Sequence, residues 1–216
     1  MTEEPDRPPL YREPQQARSA ATLARVLQAS EEIASSAGLE ELTISGVAER
    51  AGVSVGTIYR RFDDKEQLVT ALAERMLERR EAYVAERLRA AEPSLSGVMD
   101  TYAHALLQSF AEGNRLFPEL LRARGAKALD RGAHAIAEIH RLLIEAATPY
   151  VDRIRRSDPQ AALDAAARAL LGACFHNSVR PDPIVGEVAL RRYADELGDM
   201  AMAYLVTPDR DRTARS

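Results

Sequence analysis

Apolar residues recur along this chain at helical spacing almost from end to end. From about Ala20 to Ala37, the residues Leu23, Val26, Leu27, Ile33, Ala34 and Ala37 fall on one helical face. Gly38 follows as a helix stop. Thr43 is placed to cap a short helix whose apolar positions, Ile44, Val47, Ala48 and Ala51, stand at i, i+3, i+4 and i+7. Gly52 breaks it, and Ser54 caps a third short helix with Ile58 and Phe62 turned inward. Asp63 and Glu66 then stand at capping-box spacing and open a long helix to about Ala91, with Leu68, Leu72, Met76 and Val84 along its apolar side.

Beyond Pro93 the same period predicts helices near 95–112, 115–124, 127–156, 159–178 and 184–206. Asp158 before Pro159 pairs a good N-cap with proline at the first helical position. No segment alternates with a two-residue period, so no strand is expected and the fold class is all-α. Residues 1–18 hold four prolines and alternating charges without periodicity and read as a flexible tail, as do residues 208–216. Between them the pattern divides into a three-helix unit at 19–67, with a helix-turn-helix at 43–62, and a helical bundle at 68–207.

Composition narrows this reading. The 216 residues carry a formal charge of -4, and residues 1–68 hold 8 Lys and Arg against 12 Asp and Glu. Any affinity for nucleic acid must therefore come from local placement of charge rather than from net charge. No apolar run reaches the roughly 18 residues of a membrane helix, and the polar, proline-rich start offers no secretory signal. The single cysteine, Cys174, allows no internal disulfide and reads as a small packed residue. A cytoplasmic protein without a membrane partner is expected.

The chemistry concentrates between Thr43 and Phe62, in TISGVAERAGVSVGTIYRRF. Two short helices meet at a tight Ala51-Gly52-Val53-Ser54 turn, where glycine permits a left-handed backbone. With Ile58 and Phe62 inside, Val55, Gly56, Thr57, Tyr59 and Arg60 are left outward. Val55 and Gly56 are small enough for close approach, Thr57 offers a hydroxyl and a methyl, and Tyr59 and Arg60 can reach phosphates or base edges. Thr43 and Ser54 begin helices, whose free N–H groups favour phosphate, and Lys65 adds a positive charge nearby. Arg61 points away from the side that carries Thr57.

The combination AGVS…GTIY…F…KE.L at this spacing resembles the DNA-binding domain of TetR-family regulators over about residues 20–70. The resemblance implies a homodimer on a palindromic double-stranded DNA operator, with a small-molecule effector of unknown identity bound in the C-terminal bundle. It implies a ligand-responsive repressor rather than an enzyme, needing no cofactor. The DNA-contacting positions would be Thr43, Ser54, Val55, Gly56, Thr57, Tyr59, Arg60 and Lys65.

The remaining residues give softer signals. His104, His134, His140 and His176 form no metal signature, and no nucleophile elbow, P-loop or dinucleotide fingerprint is present. Tyr102, Phe110, Phe117, His134, His140, Tyr150 and Phe175 are candidates to line an effector cavity, each also readable as ordinary structure. The small residues of Ala161–Phe175, and a last helix with Val188, Leu197, Met200, Ala201, Tyr204 and Leu205 largely on one side, suit either a dimer interface or internal core.

Overall fold

A computed structural model describes residues 17–112, 125–180 and 182–209, and within them every regular element is helical. Helix α1 spans Ala17–Ala37, α2 Ile44–Ala51, α3 Val55–Tyr59, α4 Lys65–Arg89 and α5 Leu95–Glu112. Helix α6 spans Gly125–Ala147 and runs into a 3-10 turn at Thr148–Arg153; α7 is Pro159–Val179 and α8 Glu187–Val206. The predicted tail up to residue 16, the predicted helix at 115–124 and Phe117 lie outside the described residues.

The N-terminal helices start and stop where local chemistry dictates. The Thr43 hydroxyl accepts a hydrogen bond from the Gly46 amide at 3.1 Å, and the Ser54 hydroxyl one from Thr57 at 3.2 Å. Between them Gly52 sits at φ 64°, in the left-handed region, and its amide donates to the Glu49 carbonyl. The expected cap of the long helix moves by one residue. Asp64, not Asp63, has the extended cap backbone and accepts from the Gln67 amide at 2.7 Å. The Gln67 side chain reaches back to the Asp63 amide and carboxylate, so Gln67 does the work expected of Glu66.

Two buried apolar clusters share α4. The first joins Leu23, Val26 and Leu27 of α1 to Val47, Ile58, Phe62 and the start of α4, as far as Met76. The second begins at Leu77 and takes in α5 and the inner faces of α6, α7 and α8. Helix α5 lies in the middle of this second cluster, packed against α4, α6, α7 and α8. It runs antiparallel to α8, with His104 Nε2 2.8 Å from Asp195 Oδ1. That approach is close: a Cβ on Gly198 would collide with the Asp100 carboxylate.

Two boundaries differ from the expected pattern. The helix predicted to continue to 156 leaves α geometry at Ala147, because Pro149 has no amide to donate to the preceding turn. The last helix begins at Glu187 rather than 184, after Gly186 at φ 88°. Ahead of it, the Asn177 side chain holds the connecting segment by accepting from the Ile184 amide at 2.8 Å.

Candidate nucleic-acid interface

Helix α3 is short, and one side of it is fully committed to the interior. Ile58 and Phe62 have no exposed surface and lock the segment onto α1, α2 and α4. The opposite side is open. Val55 is 40% and Tyr59 52% exposed, and Gly56 and Arg60 are exposed beside them, while Thr57 is half-buried. Arg61 lies elsewhere, donating to the Ser19 carbonyl of α1 at 2.8 Å. The helical register therefore separates two adjacent arginines into an outward one and one that binds α1.

Polar contacts organise the outward side. The Ser54 and Thr57 hydroxyls are 2.9 Å apart, and Arg60 Nη2 donates to the Thr57 hydroxyl at 3.1 Å. At the start of α2, Thr43 is exposed and its hydroxyl lies 3.4 Å from that of Ser45. Lys65 is less open than the sequence suggests. It is half-buried, and its ammonium donates to the Glu40 carbonyl at 3.2 Å. Arg50, which sequence reasoning passed over, is exposed on α2 and paired with Glu32 at 3.1 Å.

The bundle behind this unit contains buried charge that no local pattern announced. The Arg80 guanidinium of α4 lies 4.2 Å over the Phe110 ring and donates to the Ser109 carbonyl, and burial pushes its pKa down to about 10. Arg131 of α6 is buried between Glu74 and Glu81 of α4, at 2.6 and 2.7 Å. Burial opposes its charge, but the hydrogen bonds to Glu81 and Glu74 outweigh that and raise its pKa. Tyr102 is fully buried, which raises its phenol well above the usual range, and burial pushes the Cys174 thiol up to about 12.

Of the candidate cavity residues, Tyr102 and Phe110 lie in the buried cluster of the bundle, with Tyr150 packed against it. Phe110 meets Phe175 edge-on at 6.3 Å. His134 is exposed, and His140 pairs with Asp164 of α7 at 2.9 Å. The last helix also divides the residues expected on one side. Leu197, Ala201 and Leu205 are buried in the chain's own core, whereas Val188 is 84% exposed and Met200 and Tyr204 also face outward. The apolar residues of this helix therefore point in more than one direction. On α7, Ala161, Ala165, Ala169 and Gly172 are exposed in a row of small residues. No described helix is long and apolar enough to cross a membrane.

The described residues thus form a three-helix unit with an outward-facing helix-turn-helix, followed by a helical bundle. Residues 26–72 match the family model described as bacterial regulatory proteins, tetR family. The N-terminal unit is similar to that family over these residues, and the chain shares the fold of solved proteins described as tetR-family. A segment of 58 residues is 45% identical to the HTH-type transcriptional repressor KstR of Mycolicibacterium smegmatis, covering 27% of this chain and 28% of that protein. The matched stretches span only about a quarter of the length of the curated relatives. Structural likeness reaches further. A tetR-family regulatory protein from Rhodococcus RHA1 superposes with a TM-score of 0.62 and 19% identity, over 87% of this chain and 98% of that one. RolR in complex with resorcinol superposes with a TM-score of 0.51 and 19% identity, over 91% and 99%.

Proposed function

We propose that the chain is a sequence-specific DNA-binding transcription regulator, a homodimeric repressor released from its operator by a small-molecule effector. The observation that carries the reading is the division of α3, with Ile58 and Phe62 buried and Val55, Gly56, Tyr59 and Arg60 exposed. A short helix held out in this way suits insertion into a major groove, with Thr43, Ser54, Thr57 and Lys65 placed around its rim. The tetR-family match over the same residues supports it, as does the repressor name of the Mycolicibacterium relative. Such a protein acts in the cytoplasm.

A dimer would use the outer sides of α7 and α8, where the small-residue row and the exposed Val188, Met200 and Tyr204 allow close helix approach. Two α3 helices would then meet half-sites about one helical turn, ~34 Å, or a multiple apart. Resorcinol is a ligand of RolR, and an effector of this chain would act in the corresponding bundle. It would do so by preferring a conformation in which the two α3 helices no longer match successive grooves.

The test is a gel-shift titration of the full chain on the DNA upstream of its own gene, at two salt concentrations. Specific binding that weakens steeply with salt is expected, because phosphate contacts release counterions. Tyr59→Ala should lower that affinity about tenfold or more and leave the dimer intact in sedimentation. Salt-independent binding, or no preference over unrelated duplex, would overturn the reading.

A further inference from the structure

Two contacts fix how α1 lies against α3. At one end Arg61, just beyond α3, donates to the Ser19 carbonyl in the first turn of α1. At the other end Arg25 of α1 brings Nη1 to 4.0 Å from the place that a Cβ on Gly52 would take, in the turn that leads into α3. The stretch from Ser19 to Arg25 therefore runs alongside α3, from its C-terminal end toward its start. Val26 and Leu27, next in sequence, are buried, whereas Arg25 is exposed. Its guanidinium stands on the open surface, beside the entry to α3.

The charge at this place is uncompensated. Among the described side chains of residues 19–76, the other cations all have partners within the unit. Arg50 pairs with Glu32, Arg60 donates to Thr57, Arg61 to Ser19, Lys65 to Glu40 and Arg75 to Ala24. Arg25 alone has no hydrogen bond or ion pair among the described residues. This matters in a unit whose surroundings are acidic, with 8 Lys and Arg against 12 Asp and Glu over residues 1–68. Attraction to DNA there depends on single cations held where the phosphates run.

A reading helix in the major groove has a sugar-phosphate strand along each flank, and the elements behind it cross those strands. Arg25 occupies one such flank, level with the start of α3. Its planar fork of donors matches the oxygens of a phosphate.

We propose that Arg25 is a phosphate ligand that grips the DNA backbone beside the groove α3 enters. The proposal rests on the DNA-binding reading above and adds a contact from outside the helix-turn-helix. The contact sets the position of α3 on the duplex and carries no preference for sequence, because every step offers the same phosphate.

The test is a salt titration of duplex affinity with the full chain, Arg25→Gln and Arg25→Lys, on the upstream DNA and on an unrelated duplex. Because Arg25 is exposed and unpaired, both variants should keep the native denaturation midpoint. One phosphate contact adds about 0.9 to the salt slope, or about fivefold in affinity near 0.15 M salt. Arg25→Gln should therefore bind both duplexes about fivefold more weakly per bound chain, with a slope shallower by about one. Its preference between the two duplexes should match that of the native chain. Arg25→Lys keeps the charge and should restore the slope.

A native slope in Arg25→Gln would overturn the proposal. If that native slope came with weaker binding and a lowered midpoint, Arg25 would be a prop for the Gly52 turn. Altered preference between the duplexes would also overturn it, making Arg25 a base reader. Failure of the native chain to bind any duplex would instead remove the DNA-binding reading itself.

Discussion

Between Leu23 and Met76 the buried interior is apolar apart from Ser30, whose hydroxyl is spent on the Val26 carbonyl one turn away. From Leu77 onward the interior also takes in Arg80, Ser109, Arg131, Asn177 and Ser178. The front unit thus keeps its charges outside, where they can meet a partner, and holds together by packing and capping. The bundle behind it ties helices to one another with buried polar groups: Arg80 joins α4 to α5, and Arg131 joins α4 to α6. Both regions have polar pairs distant in sequence, but in the front unit they are made by Arg61, Lys65 and Arg75, none of which is buried, whereas in the bundle they are made by the buried Arg80 and Arg131.

The sharpest way to break this comparison is Phe62→Ala. Removing a fully buried ring from the front core should cost about 3–5 kcal/mol. Hydrogen exchange should show lost protection in residues 23–76 with α5 to α8 still protected. Equal loss in both would make the two cores a single cooperative unit. Arg131→Met should act on the other side of the comparison. Its cost should be about 2–3 kcal/mol in denaturant titration, below the buried-pair range because Glu74 and Glu81 remain partly hydrated. The loss of exchange protection should centre on α6.

Gly52→Ala should cost about 1–2 kcal/mol, since alanine must hold φ 64° at the turn before α3. The smallest effect is electrostatic. Burial, and after it the charge of Glu74, raises the pKa of Glu78, so the folded chain holds this proton more tightly than the unfolded chain does. The ionised carboxylate therefore costs stability at neutral pH, and the cost fades as pH falls through the folded pKa toward the unfolded one. Glu78→Gln should be slightly more stable than the native chain at about pH 7 and equal to it near pH 4, read from denaturation midpoints. An advantage that grows with acid would reverse the assigned sign.

The same contrast explains what could be read from the residues. Thr43, Ser54 and Gly52 act on backbone within a few positions of themselves, so the helices they bound were legible, as was the inward placement of Ile58 and Phe62. Asp64 replaced Asp63 as cap because two adjacent aspartates satisfy the same spacing, and only Gln67's choice of amide separates them. Pro149 was visible in the sequence, but a strong flanking helical period on both sides masked its effect. The engagement of Lys65 with Glu40, and the burial of Arg80 and Arg131, depend on elements far along the chain and leave no local trace. Of the last helix, periodicity showed that it is apolar but not that its apolar residues serve two directions, with Leu197 facing in and Met200 facing out.

Helix α4 enters both cores without a proline or glycine among its 25 residues. At 1.5 Å per residue it is a beam about 37 Å long, held along its middle by α1, through Arg75 and the Ala24 carbonyl, and by Arg131, through Glu74 and Glu81. A beam without a joint does not absorb a tilt; it magnifies it, and about 5° at the bundle end becomes about 3 Å of travel at the other. Because Phe62 and the start of this helix share one core, a tilt that began in the bundle would be carried to the unit that holds α3.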